Sequence, residues 1–304
     1  METPGSAGTF GGRLLAPFGF GGYNAQVRTA AALAVALFGL GTVVVTTAAA
    51  APRPHVERAR AGAVDAVFSY SYNPAAFRFT RQRLTITRDG AQSFSALLRK
   101  PPGGGFNAQP AGYFTHHRSV SVTDVDGDGE PEVVLDLYWG GAHCCWYSQL
   151  YHYVATTRHY APLVHVWGNF GYVLADLDHN GTQEIVTRDD RFSYAFASFA
   201  DSRWPVRILR YDAGKLTVAT ALYRTEIGRD ANALWHSALN PARKTSNQGI
   251  VAAWAADEAM VGHWAVAFKT IDRLSRSGRI HGELSRVKFE QKLRRFLQRT
   301  GYLS

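Results

Sequence analysis

Two short segments of this sequence carry the same arrangement of oxygen-bearing side chains. The first runs Asp124-Val-Asp126-Gly-Asp128-Gly129-Glu130-Pro-Glu132 and leads into Val-Val-Leu135. The second, 52 residues further on, runs Asp176-Leu-Asp178-His-Asn180-Gly181-Thr182-Gln-Glu184 and leads into Ile-Val-Thr187. A hard cation such as Ca²⁺ takes about six to eight oxygen ligands at about 2.3–2.6 Å. Side chains at loop positions 1, 3 and 5 converge when the chain wraps an ion, and glycine at position 6 permits the sharp turn. Position 7 offers its carbonyl, and a later carboxylate closes the shell. That pattern assigns Asp124, Asp126, Asp128, Glu130 and Glu132 to one calcium loop, and Asp176, Asp178, Asn180, Thr182 and Glu184 to the other. The expected role is structural, because clustered carboxylates repel one another until a cation is bound, so binding adds to folding stability. Magnesium fits less well, since it prefers fewer protein ligands and retained waters. An EF-hand is excluded: Leu135 and Thr187 stand where its closing glutamate belongs. The plain alternative is a pair of solvated Asp/Gly-rich turns.

Strands must flank these loops. From residue 64 to about 224 the sequence alternates short β-prone runs with turn residues, at 64–72, 83–87, 93–98, 119–123, 133–138, 146–154, 163–167, 172–175, 185–188, 206–211 and 216–224. Asp89-Gly90 and the 212–215 stretch Asp-Ala-Gly-Lys read as hairpin turns. About a dozen short strands in such a length is the pattern of a sandwich, barrel or propeller. Beyond residue 224 the composition turns helical, over 229–238, 248–257, 258–275 and 283–300. In the last of these, Leu284, Val287, Leu293, Phe296 and Leu297 share one face. The expected fold is therefore mainly β, a β-propeller-like or sandwich repeat domain with calcium loops, plus a small C-terminal α-helical region. Its expected limits are a linker at 52–63, a β-repeat domain at 64–225 and the helical region at 226–304.

The D-x-D-x-[DN]-G-x-x-E loop between strands resembles the FG-GAP/VCBS-type repeat of integrin-like β-propellers, and Phe170-Gly171 before the second loop is similar to its name-giving dipeptide. The wider layout resembles uncharacterised exported actinobacterial proteins with such repeats, through the segment Gly140-Gly141-Ala142-His143-Cys144-Cys145 and through Val251-Ala-Ala-Trp-Ala-Ala256. The resemblance spans roughly residues 64–275. It implies a β-repeat fold and calcium, and no reaction. About a dozen strands make three four-stranded blades, fewer than closed propellers typically have. An open edge needs cover, which the helical tail is placed to supply.

Cys144 and Cys145 are the only cysteines and are adjacent. The readings that stand are a vicinal disulfide, two buried thiols, metal binding with His143, or pairing with another chain. No nucleophile elbow, zinc-protease helix, phosphate loop or dinucleotide fingerprint occurs, so no catalytic residues are assigned. The alternative to a binding or structural module is a secreted hydrolase of cell-wall polymer or polysaccharide, using Asp136, Asp189 and Asp190. It would require two carboxylates about 5–10 Å apart in a pocket.

The chain has 304 residues, 46% of them hydrophobic and 12% aromatic, which excludes disorder for most of its length. Residues 29–51 carry no charge and end in an alanine-rich stretch after a basic flank. This is the pattern of a secretory signal peptide, or of a membrane anchor through residues 29–51 if it is not cleaved. Either places the remainder outside the cytoplasm, secreted or extracytoplasmic, with an extracellular protein or cell-wall glycan as expected partner. The net charge is +9, but most of the excess falls in the last 34 residues. That confinement, with export, argues against nucleic acid and leaves wall polymer or lipid headgroups as anionic contacts.

Overall fold

The computed structural model describes residues 54–98, 108–115, 117–141 and 144–303. The expected signal or anchor, 1–51, and His143 lie outside the described residues. Among those described, no helix is long and apolar enough to cross a membrane.

The fold is mainly β, with three antiparallel sheets, none closed into a barrel, followed by helices. Sheet A is a meander of β1 (Pro54–Ala61), β2 (Val64–Asn73), β3 (Arg78–Arg88) and β4 (Ala91–Leu97). The segment expected to be a linker is thus a strand: all eight residues of β1 pair with β2, from Pro54↔Ser71 to Ala61↔Val64. Its polar composition hid it, because β1 lies at the sheet's edge with one neighbour and buries little. In β2, Val64, Ala66, Phe68 and Tyr70 are buried at period two. Asp89-Gly90, with φ 49° and 77°, closes the β3–β4 hairpin in the left-handed geometry that such two-residue turns need.

Sheet B begins with an edge strand broken in two, β5 (Gln109–Pro110) and β6 (Val120–Thr123), around a single helical turn, α1 (Gly112–Thr115). Both pieces pair with β7 (Glu132–Tyr138), which continues to β8 (Trp146–Val154) and β9 (His159–Gly168). Sheet C is β10 (Val173–Ala175), β11 (Glu184–Arg188), β12 (Val206–Asp212) and β13 (Lys215–Val218). The run at 216–224 is only half strand; after Val218 it turns into a 3-10 helix, Thr220–Leu222.

Each layer covers the next. Phe68, Leu84 and Ile86 of sheet A share a core with Val133, Leu135 and Tyr147 of sheet B. Val134, Leu150 and Trp167 on the other face of sheet B meet Ile185, Leu209 and Tyr211 of sheet C. β7 is therefore apolar on both faces, as a strand between two layers must be. Val186, Val206 and Ile208 face Tyr223 and Ile227 at the start of the helical region.

That region contains α2 (Arg224–Ala238), α3 (Gln248–Met260), α4 (Trp264–Arg276) and α5 (Arg286–Arg299). Residues 248–257 of α3 are all buried, which suits its apolar, alanine-rich composition all round the helix. The third expected helix starts late: the turn at 261–263, with Gly262 at φ 88°, separates α3 from α4. On α5 the buried positions are Phe289, Leu293 and Leu297, one per turn, while Val287 is half exposed. Of the expected face, Leu293 and Leu297 are buried and Leu284 and Phe296 pack against the same core; Val287 alone points away, and Phe289 takes its place.

Candidate metal centre

The two acidic loops occupy the same place in successive sheets, joining β6 to β7 and β10 to β11. The register is the same too. Thr123 pairs with Glu132 in sheet B, and Ala175 pairs with Glu184 in sheet C. The glutamate at loop position 9 is thus the first residue of the outgoing strand in both.

Inside each loop the backbone is bent around the first aspartate. Asp124 Oδ1 and Oδ2 accept from the Gly127 and Gly129 N–H groups at 2.8 and 2.9 Å. Asp176 does the same for Asn180 and Gly181 at 3.0 and 2.9 Å. At position 5, Asp128 accepts from Glu130 N and Asn180 from Thr182 N, both at 2.7 Å. At position 9, Glu132 accepts from Val125 N and Glu184 from Leu177 N, both at 2.9 Å. Gly129 and Gly181 sit at φ 88° and 89°, the left-handed turn expected at position 6. Position 4 is also left-handed, at Gly127 (φ 76°) and His179 (φ 58°). Only the first loop has the glycine that suits it.

The arrangement brings carboxylate oxygens of Asp124, Asp126 and Asp128 within 4.8 Å of one another, and likewise those of Asp176, Asp178 and Glu184. Glu132 is 2% exposed, and burial, with the Asp126 and Asp128 charges added, pushes its carboxyl up to about 8 despite the Val125 bond. Asp126 Oδ1 is buried without a hydrogen-bond partner, while its Oδ2 accepts from Ala213 N at 2.9 Å. A buried oxygen without a donor, among like charges, is what a cation relieves. The donor set is all oxygen, which fits Ca²⁺ rather than a softer metal. The Glu130 carboxylate turns away to pair with Arg88, so position 7 offers only its carbonyl.

The loops also touch each other. Gln183 N donates to Val125 O at 3.3 Å, and Thr182 Oγ1 donates to Asp126 O at 3.5 Å. Arg210 of β12 adds a guanidinium to the second site, 2.8 Å from Asp178 Oδ2 and 3.5 Å from Glu184 Oε1. Nothing in the loop spacing signals Arg210; it comes from a strand some thirty residues away.

The acids of the hydrolase alternative are engaged elsewhere. Asp136 Oδ1 accepts from Ser148 Oγ and, at 3.2 Å, from the Tyr172 hydroxyl; Trp167 Nε1 donates to the same Ser148 oxygen at 2.7 Å. Burial still pushes Asp136 up to about 6. Asp189 is 1% exposed and held below the usual carboxylate range against its burial, by Arg191, Tyr302 and Arg207. Asp190 accepts from Asn169 and Ser193. These contacts tie strands and helices together. Cys144 and Cys145 are paired as a disulfide just before β8.

The matched segment of an uncharacterized protein from Sinorhizobium fredii is 30% identical over 200 residues, 57% of this chain and 30% of that protein. A probable thylakoid lumen protein from Synechocystis is 28% identical over 206 residues, covering 60% of each chain. The chain thus spans about a third and three fifths of the lengths of these relatives. No protein-family model matches the chain, and no solved structure matches it.

Proposed function

We propose that this is an exported calcium-binding β-repeat protein, acting as a binding or structural module outside the cytoplasm. The observation that carries the reading is the pair of loops with the same register and closely similar hydrogen bonds and with converging acidic oxygens, two of which, Asp126 Oδ1 and Glu184 Oε1, are buried without a hydrogen-bond partner. In the first, Asp124, Asp126, Asp128, Glu132 and the Glu130 carbonyl hold the ion; in the second, Asp176, Asp178, Asn180, Glu184 and the Thr182 carbonyl do so. Calcium neutralises the loops and clamps the strands they join, so it acts on stability. Three successive meander sheets are consistent with an open arrangement of propeller-like blades, as the FG-GAP/VCBS resemblance implies. Export is supported by the charge-free stretch at 29–51 and by the lumenal description of the Synechocystis relative. The partner class is an extracellular protein or a cell-wall glycan. Scanning calorimetry of the purified protein in calcium and in chelator tests the reading. Calcium should raise the melting temperature, and identical melting in both conditions would refute it.

A further inference from the structure

We infer that the cleft between α2 and α3 is a binding site for a neutral saccharide. The inference rests on the reading of the chain as a binding module and names a ligand class for it; it does not require the calcium loops to be filled.

The cleft measures about 440 Å³, the scale of a small-ligand site. Its wall on α2 is one helix face, with Arg224, Gly228, Ala231 and Trp235 following each other at three- and four-residue spacing. Two small residues in the middle of that face keep the space open. A Cβ built on Gly228 would meet no atom within 4 Å, so the glycine borders empty volume rather than a tight helix contact. The floor is aromatic: the Trp235 and Trp254 rings lie 4.5 Å apart at 39°. Trp254 is 7% exposed and fixed in the core, while Trp235 is half-buried.

Polar groups ring this floor. Glu258 Oε2 is held by His263 Nδ1 at 3.1 Å, which orients the carboxylate and leaves Oε1 to accept from a ligand. Arg224 Nη2 donates to Val261 O at 2.9 Å, fixing the guanidinium at the rim. Asn232 adds an exposed amide.

An apolar floor of two tilted indoles, edged by planar donors and acceptors, suits a pyranose ring, which has a face of C–H groups and a rim of hydroxyls. Charge decides against the alternatives. A quaternary ammonium would gain from the tryptophans but meets the Arg224 cation. A phosphate would meet the Glu258 carboxylate. With one fixed charge of each sign, the cleft favours neither ion and suits a neutral polyol.

The test is a fluorescence titration of the full-length protein with maltose, cellobiose, lactose and N,N′-diacetylchitobiose, with tetramethylammonium chloride and sodium phosphate as ionic probes. At least one sugar should give a saturable change in tryptophan emission, and neither ion should. Gly228→Leu, which extends a side chain into the open space, should weaken that sugar at least tenfold without lowering the melting temperature. Should Gly228→Leu fail to fold, Glu258→Ala on the rim gives the same readout through the lost acceptor. Silence from all four sugars, saturable binding of either ion instead, or undiminished sugar binding in the folded variant overturns the proposal. Repeating the titration in chelator separates the two readings: sugar binding that persists where calcium has no effect on melting would retain this site and refute the calcium loops.

Discussion

The two acidic loops have one backbone and two electrostatic solutions. The first carries five acids between Asp124 and Glu132, an unpartnered buried oxygen on Asp126, and a Glu132 carboxyl pushed up to about 8. The second carries three acids between Asp176 and Glu184, has its own buried oxygen without a hydrogen-bond partner on Glu184, and gains a positive charge from Arg210 on the neighbouring strand. The contrast continues along the outgoing strands. Asp136 on β7 and Arg188 on β11 hold the same repeat position, and each faces the following layer. Asp136 meets Tyr172 ahead of sheet C, whereas Arg188 pairs with Asp230 of α2. The repeat dictates which way a side chain points; the next layer dictates which side chain is tolerated there.

The largest expected effect concerns that strand position. Asp136 has a folded-state value of about 6 against an ordinary 3.8, so the folded protein holds the proton more tightly. Its contribution to stability is complete below about pH 4 and is lost as pH rises through about 6. Asp136→Asn has no such window. Denaturant titrations at pH 4 and pH 6.5 should show wild type losing about 2 kcal/mol relative to the variant. His165, which burial drives down to about 4, works in the opposite direction but is present in both proteins and cancels. A pH-independent difference between the two would contradict the buried-acid account.

A smaller effect separates the loops. Asp126→Asn removes a charge from the site without an internal cation, and Asp178→Asn removes one from the site where Arg210 already sits. Calorimetric titration should show the first substitution weakening calcium at least about tenfold, and more than the second does. Equal losses would mean that Arg210 leaves the second site's electrostatics unchanged.

The smallest effect lies in the backbone. His179→Gly would give the second loop the residue the first has at position 4, relieving a left-handed histidine at φ 58°. A gain of about 1 kcal/mol or less in chelator is expected. Gly127→Ala, at φ 76° and with Thr182 Oγ1 2.9 Å from the added Cβ, should destabilise instead.

Much of this was legible in the chain. The period-two burial of β2, the Asp89-Gly90 hairpin and the matched loops all depend on residues close in sequence, where spacing alone fixes geometry. β1 was missed because an edge strand needs no apolar face. On α5 only Val287 falls off the buried face, because Phe289 meets Phe196 across the helical core. Arg210 and the α2–α3 cleft were invisible for the same reason, since each joins residues far apart in the chain.

The sequence by itself therefore determined the repeat, the oxygen donors and their order around a turn, because a loop of nine residues is governed by its own torsions and hydrogen bonds. Tertiary structure alone decided which site acquires a guanidinium, which carboxyls are driven up by burial and which tryptophans face an open cleft. Charge and desolvation act across space between layers, and the order of residues along one strand does not encode what the next layer brings to it.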